Sequence, residues 1–121
     1  VIRVAMSVPS HTPLMRDAAA QLGEFMKTLA WTMPDRPVIQ NADVIAHSSI
    51  EAIQDALVRQ LYSPVRWTEC VQKLAGNGAM HVAECGPGKV LTGLIKRIDK
   101  TIDARAIGTG TDLSLALSEL A

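Results

Sequence analysis

The residue in this 121-residue chain best equipped for chemistry is a histidine held between two prolines, in the run Ser7-Val8-Pro9-Ser10-His11-Thr12-Pro13-Leu14-Met15. Each proline pushes the residue before it, Val8 or Thr12, toward extended geometry, so His11 is carried on a short, stiff connector. A general base needs such placement, because its acceptor nitrogen must lie within hydrogen-bond reach of the proton it removes. It also needs a nucleophile to activate. Cys70 falls inside a helical apolar pattern, which predicts an inert thiol. Fourteen residues separate Cys70 from Cys85 with no Cys-x-x-Cys or Cys/His cluster, which argues against a zinc site and a disulfide framework and predicts two reduced, packed thiols.

The other candidate constellations are weaker. A nucleophilic serine exposed on a strand-to-helix turn requires Gly-x-Ser-x-Gly, and the chain has none. Gly86-Pro87-Gly88-Lys89 follows an apolar run as a phosphate loop would. That loop also needs a glycine five positions before the Gly-Lys pair and a hydroxyl residue after it, and Ala83 and Val90 stand there instead. Its glycines are expected to turn a strand tightly into a helix. His47 and His81 lie in no motif, and each reads as a surface or strand histidine. Lys89, Lys96 and Lys100 fall at i, i+7 and i+11 with Arg97 beside them, a basic face suited to solvent or to an acidic partner.

These residues are set among alternating strand and helix patterns. Val1 to Val8 is β-branched and reads as a strand already under way, without an initiator Met or signal peptide before it. A helix follows from Pro13, with Leu14, Ala18, Leu22, Phe25 and Leu29 as its stripe and Met15, Ala19 and Met26 widening it. Val38-Ile39-Gln40 is expected as a short strand. Ser48-Ser49-Ile50-Glu51 offers a capping box for a second helix, whose face is Ile50, Ile53, Leu57 and Leu61 and which stops at Ser63-Pro64. Trp67, Val71 and Leu74 mark a third helix that stops at Gly76-Asn77-Gly78, and Met80 to Glu84 reads as a buried strand. The glycine turn leads to a fourth helix with Val90, Leu91, Leu94, Ile95 and Ile98. A strand over Ala104 to Ile107 and a helix over Leu113 to Leu120 complete the pattern. Strands separated by helices predict an α/β fold with a mainly parallel sheet.

Composition narrows the function. With 48% hydrophobic and 20% charged residues, the chain is one globular domain or a piece of a larger one, and its opening favours a piece. Twelve basic residues cancel twelve acidic ones, so the footprint of a nucleic-acid binder is missing. No apolar run approaches the ~18 residues that span a bilayer. The expectation is a cytoplasmic protein with no nucleic-acid or membrane partner.

Three segments together resemble the malonyl-CoA:acyl carrier protein transacylases of bacterial fatty-acid synthesis. They are Ser7-Val8-Pro9-Ser10-His11 with Leu14-Met15, Asp55-Ala56-Leu57-Val58-Arg59-Gln60-Leu61-Tyr62-Ser63-Pro64-Val65-Arg66-Trp67, and Glu84-Cys85-Gly86-Pro87-Gly88-Lys89-Val90-Leu91-Thr92-Gly93-Leu94. Their order and spacing also match, and the resemblance is to the C-terminal part of such an enzyme. It implies an α/β-hydrolase-like subdomain with a ferredoxin-like subdomain inserted into it. Residues 1–10 would be the insert's last strand and the return linker, and residues 11–121 the C-terminal part of the acyltransferase subdomain. It also implies a ping-pong transfer of malonyl from coenzyme A to the phosphopantetheine thiol of acyl carrier protein through a serine ester, with no cofactor and no metal. His11 matches the base, and Gln60 the residue whose backbone carbonyl orients it.

The family's nucleophilic serine and the arginine that pairs with the malonyl carboxylate have no counterpart here. The partners implied are malonyl-CoA, acyl carrier protein and the missing N-terminal part of the same enzyme. Two other readings stand beside this one. A polyketide-synthase acyltransferase fragment usually shows His-Ala-Phe-His or Tyr-Ala-Ser-His where this chain has Val8-Pro9-Ser10-His11. A non-catalytic fragment that docks a carrier protein is the other.

Overall fold

The computed structural model describes residues 8–120 and divides the chain into two compact units, 1–70 and 71–121. The strand expected at the start lies outside the described residues except for Val8, which is a bend.

In the first unit, Thr12 is extended (φ −129°, ψ 160°), as its place before Pro13 requires, and a 3-10 turn over Pro13–Met15 runs into α1 (Arg16–Lys27). Helix α1 packs on α2 (Ile50–Tyr62). Small residues decide which face it uses. Ala19 and Ala56 are fully buried, and a methyl group added at Gly23 would sit 3.4 Å from Val58 Cγ2. The buried side of α1 is therefore Ala19 and Met26, while the expected stripe residues Leu14 and Phe25 are 80% and 59% exposed. The apolar band on α1 is wide enough to offer two faces, and close approach to α2 selects the one lined by small side chains.

Between these helices, Ile39 and Ala46 form an isolated antiparallel bridge instead of the expected strand over 38–40. The segment is a tight loop. Gln40 N–H donates to the Ile45 carbonyl at 3.0 Å and Val44 N–H to the Gln40 carbonyl at 2.9 Å. Helix α2 is capped by Ser49, whose Oγ accepts from Ala52 N–H at 3.2 Å. The position facing back to the cap is Ala52, not Glu51, so the cap is a single serine bond and not a reciprocal box. Helix α3 (Trp67–Gly76) follows, and the first unit ends within it at Cys70.

The second unit is a β-α-β arrangement with a further helix. Strand β1 (His81–Cys85) pairs in parallel with β2 (Asp103–Ile107), His81 opposite Asp103 and Cys85 opposite Ile107, and α4 (Val90–Ile98) makes the crossover. Helix α5 (Gly110–Leu120) packs on β2. Val71, Ile95, Ile102, Ala104 and Ala116 are buried. Strand β1 alternates exposed and half-buried residues and so differs from the fully buried strand its apolar run suggested. The turn after it needs its glycines, since Gly86 and Gly88 hold φ of 136° and 106°.

Candidate functional site

His11 and Gln60, 49 residues apart, are brought together by the packing of the first unit. His11 is exposed and its backbone is left-handed, with φ 62°. That conformation is uncommon for a residue with a Cβ and persists only where surrounding bonds impose it. They do so here. The main-chain N–H donates to the Leu61 carbonyl at 2.9 Å, and ring Nδ1 lies 2.9 Å from the Gln60 carbonyl oxygen. A carbonyl oxygen can only accept, so Nδ1 is the donor, and in the neutral ring the lone pair is on Nε2.

Both acceptors belong to the last turn of α2, where carbonyls lack intrahelical partners. That end of a helix carries partial negative charge, which suits a ring N–H donor. A second contact ties this turn to α1, because the Arg16 guanidinium stacks 4.5 Å from the centroid of the Tyr62 ring.

Arg59, next to Gln60, is anchored to the loop between α1 and α2. Arg59 Nε donates to Asp55 Oδ2 at 2.7 Å, one turn back, and its terminal nitrogen donates to Asp43 Oδ2 at 2.6 Å. His47 Nε2 lies 3.0 Å from the same oxygen, and Asp43 Oδ1 accepts from Ile45 N–H at 3.2 Å. Burial pushes the Asp43 carboxyl up, but the hydrogen bonds from Arg59 and His47 outweigh it and hold the group below its ordinary value. Beyond α2, Arg66 N–H donates to the Asn41 carbonyl at 3.0 Å, and the Arg66 side chain pairs with Glu69. The loop that receives these contacts contains Val44 at φ 65°, a strained setting for a β-branched residue. Asp43 and Arg59 were not singled out from sequence. The Asp55 to Arg59 spacing of four was the available signal; the partner across the loop left none.

In the second unit, Glu84 explains the rejected phosphate loop. Its Oε2 accepts from Thr92 N–H and Thr92 Oγ1, both at 2.7 Å, and Oε1 accepts from Leu91 N–H at 3.1 Å. A carboxylate of the protein already fills the α4 N-terminus that a phosphate would use. These bonds, the Thr92 backbone bond foremost, hold the Glu84 carboxyl below its ordinary value. Lys89, Lys96, Arg97 and Lys100 are all exposed. Cys70 is buried and its thiol is pushed up by desolvation, as an inert thiol should be. Cys85 is exposed, contrary to expectation, because it ends β1 on the open side of the alternation.

No family model matches the chain. It is 47% identical over 114 residues to the malonyl CoA-acyl carrier protein transacylase of Salmonella typhimurium, a match covering 94% of this chain and 37% of that protein. Among solved structures, it matches a malonyl-CoA:acyl carrier protein transacylase from Xanthomonas oryzae pv. oryzae with a TM-score of 0.93 and 59% identity, over 98% of this chain and 38% of that one. It also matches a chain in the complex of a type II polyketide-synthase acyl-carrier protein with its malonyl-transacylase. There the TM-score is 0.92 and the identity 46%, over 96% of this chain and 38% of that one. The chain thus spans little more than a third of the length of these relatives.

Proposed function

We propose that this chain, similar to the malonyl CoA-acyl carrier protein transacylases over little more than a third of their length, is the C-terminal part of such an enzyme, carrying the histidine base but not the serine. In this reading residues 1–10 are the end and return of a ferredoxin-like subdomain, and residues 11–121 belong to an α/β-hydrolase-like one. The observation that supports it most is the bond between His11 Nδ1 and the Gln60 carbonyl, which leaves Nε2 free to accept a proton.

The chemistry follows from that tautomer. Nε2 takes the serine hydroxyl proton as the serine oxygen bonds to the thioester carbon of malonyl-CoA. When the tetrahedral adduct collapses, the carbon–sulfur bond breaks and the thiolate of coenzyme A takes the proton from Nε2, leaving a malonyl ester. In the second half, Nε2 takes the proton of the phosphopantetheine thiol of acyl carrier protein. That sulfur bonds to the ester carbon, and the serine oxygen leaves with the proton. The neutral Gln60 carbonyl stabilises the transient imidazolium in both halves. A carboxylate partner is dispensable because a thiolate is a good leaving group.

The exposed cations at Lys89, Lys96, Arg97 and Lys100 have the sign that an acidic partner needs. Leu14 and Val90, 80% and 72% exposed, suit a chain whose apolar surface is covered by a larger fold.

Incubating the chain alone with labelled malonyl-CoA is expected to leave no covalent label, and adding the N-terminal two-thirds of the enzyme to restore transfer. A stable label on the isolated chain overturns the reading. Carrier-protein binding without restored transfer identifies a docking module instead.

A further inference from the structure

The loop contacts around Gln60 carry a consequence for His11. Gln60 presents its carbonyl from the last turn of α2, and the residues on either side of that turn reach back to one loop. Arg59 bonds to the Asp43 carboxylate, and Arg66 bonds through its main chain to the Asn41 carbonyl. Asp43 is the hub. Its two oxygens receive Arg59, His47 and the Ile45 main chain, and its side chain is only 16% exposed. A half-buried ion pair made through a directional guanidinium fixes geometry more tightly than an exposed one. The left-handed Val44 next to Asp43 marks a loop shape that its surroundings impose.

We propose that Asp43 and Arg59 form a positioning pair that sets where the Gln60 carbonyl stands relative to His11 Nδ1, and so keeps the proton on Nδ1 and the lone pair on Nε2. Neither residue touches the reacting atoms in this scheme. Arg59 is bonded to the residue that carries the carbonyl, so a change in its anchor moves the acceptor directly. His47, on the same Asp43 oxygen, shares the load without being required for the Arg59 contact. The proposal rests on His11 being the base.

The test uses the full-length enzyme that contains this chain, with Asp43→Asn, Arg59→Gln and Arg59→Lys, and His11→Asn as the reference. Asp43→Asn and Arg59→Gln are expected to lower kcat by roughly 10- to 100-fold, part of the roughly 10²- to 10⁴-fold that a positioned base contributes. KM for malonyl-CoA should stay within about twofold if the pair acts only through the His11 tautomer. The ring ¹⁵N shifts of His11 should move from a single tautomer toward an averaged pair, a signature that a purely structural role would not produce. Arg59→Lys keeps the charge and should recover part of kcat. Should Asp43→Asn not fold, Arg59→Lys carries the same expectation at smaller amplitude.

A folded Asp43→Asn enzyme with parental kcat and unmoved His11 shifts overturns the proposal, as does a loss of activity that merely follows loss of helical signal. If His11→Asn keeps transfer activity, the base assignment itself is wrong. If His11→Asn abolishes transfer while the Asp43 and Arg59 variants do not slow it, only the positioning role fails.

Discussion

His11 combines two demands at one position, a ring that must face Gln60 and a backbone that must be left-handed. The flanking prolines made a stiff connector legible in the sequence, and Thr12 is extended as expected. The sign of φ at His11 was not legible, because it is imposed by the bond from its N–H to Leu61, fifty residues along the chain. Asparagine tolerates the left-handed region and alanine does not, so the two obvious replacements should differ in stability. In the full-length enzyme, His11→Ala is expected to unfold more easily than His11→Asn by about 1 kcal/mol, as measured by urea midpoints. If His11 is the base, as proposed, both should lack transfer activity. Equal midpoints would mean that the backbone at residue 11 relaxes freely once the ring is gone.

At the scale of elements, the helices were readable because their apolar spacing and stop signals are local: α2 ends before Ser63-Pro64 and α3 at Gly76, as expected. What escaped was decided by neighbours. The face of α1 depends on which side approaches α2, and the loop at 38–46 depends on bonds that Gln40 makes to Val44 and Ile45. Glu84 is another such case, a strand carboxylate whose role appears only when α4 begins beside it. A carboxyl held below its ordinary value in the fold stabilises that fold above the ordinary value, and this contribution is lost as pH falls through the lowered one. Glu84→Gln in the full-length protein should therefore lower Tm at neutral pH. The difference from the parent should shrink as the pH is taken below about 4.5, the ordinary value for a glutamate. Circular dichroism melts across that range measure it, and a constant difference down to pH 2 would assign the effect to shape and not to charge.

At the scale of the molecule, the site depends on contacts between distant parts of the chain. His11 and Gln60 lie 49 positions apart, with α1, most of α2 and a strained loop between them, whereas each helix is stabilised by bonds four residues apart. Exposed contacts of this long-range kind are among the first to be surrendered when a protein opens locally, well before its helices melt. The αL turn that delivers the histidine should therefore behave as a fuse. On slow heating of the full-length enzyme, transfer activity is expected to disappear several degrees below the midpoint of helix loss, and amide exchange at His11 to outpace that of α1 and α2. Coincident losses would place the histidine turn in the same cooperative block as the helices. Separate ones mean that the His11–Gln60 geometry, the proposed catalytic one, has a melting temperature of its own.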